Sequence, residues 1–412
     1  MYKNTLSTGQ PVFTQLLKLI PDSLLDELCL KHKTDRYCKR FKGVDHVVTM
    51  LYAAFQKCNS LQEVITGLQA NGSRISHFGL KQTPRKSTLA EANIRTSEAF
   101  FSDLYHSLQK HYYNSLPDSR SDTGLRKAGA EDVFIIDSTT ITLFSDVMRG
   151  AGSFNLSGKK KGGVKAHTII DSKHDIPCFV NLTEGMVSDH KFLKVVDFLP
   201  EGSTVIVDKG YNSYQKYLEW TSKGITWVTR LNKRAVFKTI DQHTLLDESK
   251  SVGIIKDCTI ELGNPETISR VPIQKARLVE LYDPKKKKTI TFLSNDLTAS
   301  PETIADRYKK RWQIEILFKR IKSNFTLKYF LGETPNAIKI QIWSVLIADL
   351  LVKIIQDKIR KMQHKKWAFA NLASLIRLHL STYINLTEFL QNPNKALVHY
   401  EPPNDVIQVS LF

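Results

Sequence analysis

Val133-Phe134-Ile135-Ile136-Asp137-Ser138-Thr139-Thr140 is a short β-branched and aromatic run that ends on an acid. Such a run predicts a buried strand, and an acid just past it stands where a sheet edge opens to solvent, a place suited to a ligand. The pattern returns at Ser203-Thr204-Val205-Ile206-Val207, followed at once by Asp208-Lys209-Gly210-Tyr211-Asn212. Residues 163–170 and 176–180 read as hairpin strands around the turn 171–175, and a helix starts at Ser188-Asp189-His190. A second helix runs near 213–223, and 225–230, ending on Arg230, is a fifth strand. Strands and helices in this order predict an α/β core.

Acids ending two strands in this order point to a nuclease-type core of the ribonuclease H-like kind, over 131–234 and resumed over 299–335. Between the two parts, 235–298 reads as a β-rich insertion with short strands at 252–255, 258–262, 276–282 and 289–293. The four lysines Lys285–Lys288 make a solvated hairpin tip, with a phosphate contact as a second use. Ser300-Pro301-Glu302 then opens a helix with a capping hydroxyl, a first-turn proline and an acid near the positive dipole end. At about 100° per residue, Tyr308, Arg311, Glu315, Lys319 and Lys322 share one face. Ile314, Leu317, Phe318, Ile321 and Phe325 form the neighbouring apolar stripe. Charge at helical spacing reads first as a solvated face with i,i+4 pairs. An acid among bases, beside Tyr308 and Trp312, also suits a divalent cation next to phosphates.

Residues 1–116 read as a helical N-terminal domain, with apolar recurrence over 11–19, 22–32, 43–57 and 60–70 and a capping box at Ser60 and Glu63. Two helices joined near Gly79, with Arg74, Arg85, Lys86 and Arg95 at the junction, fit a helix-turn-helix that docks on a duplex. A helical bundle with a basic surface reads from the same residues. Residues 117–130 are polar and turn-rich, a linker. Residues 336–412 form a helical C-terminal region, with helices over 336–362 and about 366–391.

A net charge of +18 over 412 residues, spread along the whole chain, makes nucleic acid the leading partner. No apolar run of some 18 residues exists, so a soluble intracellular protein without a membrane partner is expected. Cys29, Cys38, Cys58, Cys178 and Cys258 are scattered and odd in number, which predicts free thiols. Cys29, His32, Cys38 and His46 match no usual zinc spacing.

Tyr308-x2-Arg311-x3-Glu315-x6-Lys322 resembles, in register at every position, the tyrosine-arginine-glutamate-lysine motif of the insertion-sequence transposases called the IS four group. Arg311-Trp312-x-Ile314-Glu315 fits its commonest version, and Asp137-Ser138-Thr139 and Asp208-Lys209-Gly210-Tyr211 resemble the regions of its first two acids. The resemblance implies a DDE transposase that cuts its element free and joins it to a target. Asp137, Asp208 and Glu315 would hold two Mg²⁺, with Mn²⁺ able to substitute. Tyr308, Arg311 and Lys322 would contact the transposon end near the cleaved phosphate, with Trp312, Lys319 and Arg230 as further DNA-binding residues. Double-stranded DNA, as transposon ends and target, is the implied partner, with a homodimer in the end complex and a cytoplasmic, nucleoid-associated place in a bacterium. Relatives pass through a hairpin end with a base flipped onto an aromatic; Trp227, Trp312 and an insertion aromatic are candidates. Asp189 and His190 read as residues at a helix start that faces the site, with a helix cap as the other reading of Asp189, and Lys165 and His167 carry no assignment. A catalytically silent DNA-binding derivative and a metal-dependent nuclease of the same fold are the alternatives.

Overall fold

The computed structural model describes residues 9–113, 132–142, 153–154, 160–161, 163–185, 187–263, 273–363 and 367–393. The chain divides into two compact units, one of Met1–Leu116 with Arg320–Phe412 and one of Pro117–Lys319. The expected linker at 117–130 lies outside the described residues.

The first unit opens with α1 (Val12–Leu17), α2 (Asp22–His32), α3 (Gly43–Gln56), α4 (Leu61–Gln69), α5 (Lys86–Arg95) and α6 (Glu98–Tyr112). The box ahead of α4 forms with a shift: Ser60 Oγ accepts from Glu63 N at 3.1 Å, and Glu63 accepts from Asn59 N rather than from Ser60. The first arm of the expected helix-turn-helix is a 3₁₀ segment, Gly72–Phe78, and not an α-helix. That shape does not present the paired α-helices with which such a motif enters a groove.

The second unit is built on a sheet. Its strands are β1 (Val133–Thr142), the two-residue ladder β2 (Ser153–Phe154) and β3 (Lys160–Lys161), β4 (Gly163–Asp171) and β5 (Ile176–Glu184). After α7 (Asp189–Phe192) come β6 (Thr204–Val207), α8 (Tyr214–Ser222), β7 (Thr226–Arg230) and β8 (Phe237–Gln242). α9 (Asp247–Ser251), β9 (Ile254–Leu262), β10 (Gln274–Asp283), β11 (Lys288–Ser294) and α10 (Pro301–Lys309) follow. Nine strands form one mixed sheet in the order β5-β4-β1-β6-β7-β11-β10-β9-β8. β1, β6 and β7 are parallel and every other neighbouring pair is antiparallel. The β-rich stretch therefore continues the sheet, entering through β11 beside β7. Strands expected at 252–255 and 258–262 are one strand, β9, and β8 is an exposed edge strand with an irregular register between Thr239 and Asp241. The fold class is mixed α/β. On one side of the sheet Tyr217 stacks on Trp227 with ring centroids 4.5 Å apart, inside a core with Trp220, Val205 and Leu278.

α11 (Trp312–Asn324) carries the chain back to the first unit, where α12 (Pro335–Gln363), α13 (Phe369–Leu378) and α14 (Leu386–Gln391) follow. The stretch expected as one helix over 366–391 is two, because the chain turns through 379–385. α12 is apolar nearly all round and packs on α3 and α6, so it fills the middle of this unit. Its first turn is pinned by Asn336, which accepts from Glu98 N and donates to the carbonyls of Asn93 and Thr96 at 2.8–2.9 Å. No helix among the described residues is long and apolar enough to cross a membrane.

Two buried acids lie inside α12, Asp349 and Asp357. Asp349 is buried and paired with the equally buried Arg320 through two hydrogen bonds of 3.0 and 2.9 Å. Removing Asp349 takes a two-bond anionic partner from a buried guanidinium. Asp349→Ala should lower the unfolding free energy by about 3–5 kcal/mol. Asp306→Ala, whose Lys309 partner is equally exposed at 66 %, should change it by under about 1 kcal/mol. Urea titrations of the two variants compare these values directly.

Candidate active site

Backbone pairing sets the first distance. β1 and β6 run parallel with Ile136 opposite Val207, so the next residues, Asp137 and Asp208, leave neighbouring strands about 4.8 Å apart. β6 stops at Val207 while β1 continues to Thr142, so the sheet opens at both acids.

Glu315 arrives from α11, and here the structure departs from the sequence expectation. The single helix expected through 308–322 is broken at Lys310 and Arg311, between α10 and α11. Lys310 N bonds Arg307 O at 3.1 Å, Arg311 N bonds Tyr308 O at 3.0 Å and Gln313 N bonds Lys310 O at 2.9 Å. These i→i−3 bonds tighten the chain and take Tyr308 and Arg311 off the shared solvent face. Arg311 Nη1 reaches Asp137 Oδ2 at 2.9 Å, and its Nη2 holds Glu315 Oε1. Tyr308 is buried, and its hydroxyl donates to Asp208 Oδ1 at 3.1 Å. Arg230, expected on a phosphate, donates from Nη2 to the same Asp208 oxygen at 2.8 Å. The three acids, Tyr308, Arg311 and Arg230 are thus brought together as one network.

The network is electrostatically uneven. Burial pushes the Asp137 carboxyl up to about 6, against the Ser138 N–H and Arg311, and the neighbouring Asp208 and Glu315 charges add to the rise. Burial also works to raise Asp208, but the hydrogen bond and charge of Arg230, with Arg311 and Tyr308, hold it below the usual carboxylate range. Burial first, then the Asp208 charge, raises the Tyr308 phenol. The Nε atoms of Arg230 and Arg311 are buried without a hydrogen-bond partner, so each guanidinium keeps an unused donor at the site.

Among the described residues no group of three acids, histidines or cysteines is gathered closely enough to hold a metal ion as it stands. Arg311 engages an oxygen of both Asp137 and Glu315. The donors themselves are hard carboxylate oxygens, and the rise of Asp137, caused first by burial and then by the Asp208 and Glu315 charges, is one that a bound cation would oppose. The set fits a divalent cation in chemistry, provided Arg311 gives up its two acids.

Around this network, Asp189 accepts from Ser138 Oγ at 2.8 Å and from Lys165 Nζ at 3.3 Å, so it borders the site through the residue after Asp137. No side-chain cap bond forms at the start of α7. His190 turns to the carbonyl of Asn212, and His167 stacks on Phe192, with burial pushing its pKa down to about 4. Trp312 is 61 % exposed at the start of α11, whereas Trp227 is fully buried and cannot take a base without unpacking the core. Lys319 is exposed one turn past Glu315, with no ion pair among the described residues. Lys322 stands on α11 two turns beyond Glu315, at a position of the first unit. One contact had no sequence signal: Ser172 Oγ, in the β4–β5 turn, donates to Gln313 Oε1 at 2.7 Å and fixes the start of the third-acid helix. Cys29, His32, Cys38 and His46 do not converge; His46 is buried between Asn93 and Thr96, and the five cysteines are free.

These residues form an acid cluster countered by arginines, at the open end of parallel strands in a mixed α/β sheet. The sequence matches the family model described as "Transposase DDE domain" over residues 128–351, more than half of the chain. Residues 8–81 match a domain of unknown function, DUF4372. The chain belongs to the DDE transposase family of insertion sequences, consistent with the IS four group. It is 30 % identical over 274 residues to a putative transposase, y4zB, of Sinorhizobium fredii, covering 66 % of this chain and 72 % of that one. It is 24 % identical over 331 residues to the putative transposase of element IS4SA from Synechocystis, covering 79 % and 87 %. It is 25 % identical over 236 residues to the probable transposase of element IS5377 from Geobacillus stearothermophilus, covering 57 % and 59 %. A solved piggyBac transposase synaptic complex with hairpin DNA aligns with a TM-score of 0.47 at 11 % identity, over 98 % of this chain and 88 % of that one, a likeness too loose to carry an argument.

The burial of Asp137 is measurable. With carboxyl-¹³C aspartate, one resonance should titrate near 6 and vanish in Asp137→Asn, while that of Asp208 titrates below the usual range. The folded value of Asp137 lies above its unfolded value, so its contribution to stability is full below about pH 4 and is lost as pH rises through about 6. A midpoint for Asp137 at the ordinary carboxylate value would show that its carboxyl is not buried as the structure places it.

Proposed function

We propose that the chain is a DNA transposase that cuts an insertion sequence free and joins it to target DNA, with Asp137, Asp208 and Glu315 as its catalytic acids. The observation that carries this reading is the parallel register of β1 and β6, which sets Asp137 beside Asp208, together with the Arg311 bridge from Asp137 to Glu315. The order and directions of β5, β4, β1, β6 and β7 support a ribonuclease H-like core.

Asp137, Asp208 and Glu315 would together hold two Mg²⁺, with Mn²⁺ able to substitute. When bound, the cations would activate the attacking hydroxyl or water and stabilise the leaving oxygen of the phosphodiester. Arg311 is the residue that must move. A DNA phosphate offers its guanidinium a bidentate anion in place of two separate carboxylates, and its unused Nε supplies another donor. Tyr308 and Arg230 hold Asp208 ionised and oriented, and Lys322 and Lys319 add positive charge along α11 for the same strand. Trp312, exposed beside Arg311, is the aromatic placed to stack a flipped base if the ends pass through hairpins. Two copies acting on paired ends would complete the reaction.

The test uses the full chain, labelled element ends, a target plasmid and Mg²⁺. Joined products are expected; bound but uncut ends would mark a silent derivative, and cleavage without joining a nuclease. Glu315→Gln should abolish cleavage and leave end binding within about threefold, since it removes one ligand charge and little shape. Cutting at the wild-type rate by that variant would remove Glu315 from the site. Lys322→Ala should reduce the slope of log affinity against log salt by about 1. Mg²⁺ should also lower the Asp137 midpoint in wild-type protein and lower it less in Glu315→Gln, a readout independent of turnover.

A further inference from the structure

Between α2 and α3 the sequence Lys31-His32-Lys33-Thr34-Asp35-Arg36-Tyr37-Cys38-Lys39-Arg40-Phe41-Lys42 carries six bases and a single acid. The loop is built rather than slack. Thr34 N bonds Cys29 O at 3.1 Å, Arg36 N bonds Lys33 O at 3.1 Å and Cys38 N bonds Asp35 O at 3.0 Å. Asp35 Oδ1 accepts from Gly43 N at 2.8 Å, and α3 begins so close that a Cβ at Gly43 would overlap Thr34 Oγ1. Asp35, the one acid, is therefore spent on the loop's own frame.

The bases face out. Lys31 is paired with Asp103, and Lys42 lies 3.9 Å from Asp35. Lys33, Arg36, Lys39 and Arg40 are exposed and have no ion pair among the described residues. Among them stands Tyr37, 88 % exposed, with a backbone φ of +62°. A bulky residue resists the left-handed region, and here no burial of the ring compensates. The Arg36 guanidinium sits 4.9 Å from the ring centroid, which keeps the aromatic face oriented in solvent. A strained, oriented aromatic within a fence of free cations is shaped for a polyanion that also offers flat apolar surface.

We propose that the Lys33–Arg40 loop, within the matched domain of unknown function, is a duplex-DNA contact surface, with the four free bases on phosphates and Tyr37 against sugar and base edges in the groove. The proposal rests on the transposase reading for the identity of the polyanion. It places the contact on this loop and not on the 3₁₀ segment and α5.

Full-length protein would be titrated with a 30-bp fluorescent duplex of mixed sequence between about 50 and 300 mM KCl, where phosphate contacts dominate. Removing Lys33, Arg36, Lys39 and Arg40 together by alanine should flatten the log–log salt slope by about 3–4. Tyr37→Asn keeps the charge and suits the left-handed backbone. It should weaken binding at least about fivefold while the melting temperature stays level or rises. Wild-type slope and affinity in both variants would overturn the loop proposal and leave the transposase reading standing. No duplex binding by wild-type protein would sink that reading as well. Loss of binding to vesicles containing phosphatidylserine, with duplex binding intact, would also overturn the proposal by assigning the loop to a membrane surface.

Discussion

Two carboxylates placed side by side by parallel backbone pairing are the constraint from which the second unit's organisation follows. The register of β1 and β6 leaves Asp137 and Asp208 no freedom to separate without breaking the sheet. Repulsion at that spacing, in a partly buried setting, has to be met by protonation or by cations. The chain meets it mainly with arginines: Arg230 from the end of β7 on Asp208, and Arg311 from the α10–α11 turn on Asp137 and Glu315. The helix break at Lys310 and Arg311 is the backbone's part of the same solution, since a continuous helix would point Arg311 along the solvent face.

Charge compensation of this kind is separable. Each guanidinium is ordered by carboxylates but keeps a buried donor unused, so two arginines offset three acids only in part and the network is incomplete in hydrogen bonds as well. A ligand that brings its own anion and its own cation can exchange with it piece by piece. Asp208 keeps Arg230 and Tyr308 as ordered partners through such an exchange, and Ser172 keeps α11 in place through Gln313. The acids are held by different elements, and only Arg311 is shared between two of them.

The strands that place the acids were legible because burial imposes a pattern: Val133–Ile136 and Thr204–Val207 are apolar runs ended by an acid. Glu315 was legible through helical spacing and the motif it completes. The break in the helix was not, because Lys310 and Arg311 are ordinary helix formers and the turn is imposed by tertiary contacts. The contacts that Arg230 and Tyr308 make with Asp208 were not legible for a related reason. A sequence displays charge but not which charge it faces, and phosphate and carboxylate attract an arginine alike. β8 escaped because an exposed edge strand, Phe237–Gln242, has no buried face to enforce alternation. The pairing of α12 with the N-terminal helices spans more than two hundred residues of chain and leaves no local trace.

That edge has one more implication. Among the described residues β8 has no neighbouring strand on one side of its backbone, at the rim of a long sheet, an arrangement that invites another chain to extend the ladder. Lys238 and Asp241 stand on it, and its pairing with β9 slips between Thr239 and Asp241, so a second strand would meet charge and a misaligned template. A change of the six residues of β8 to a flat apolar strand would cost solubility before it cost chemistry.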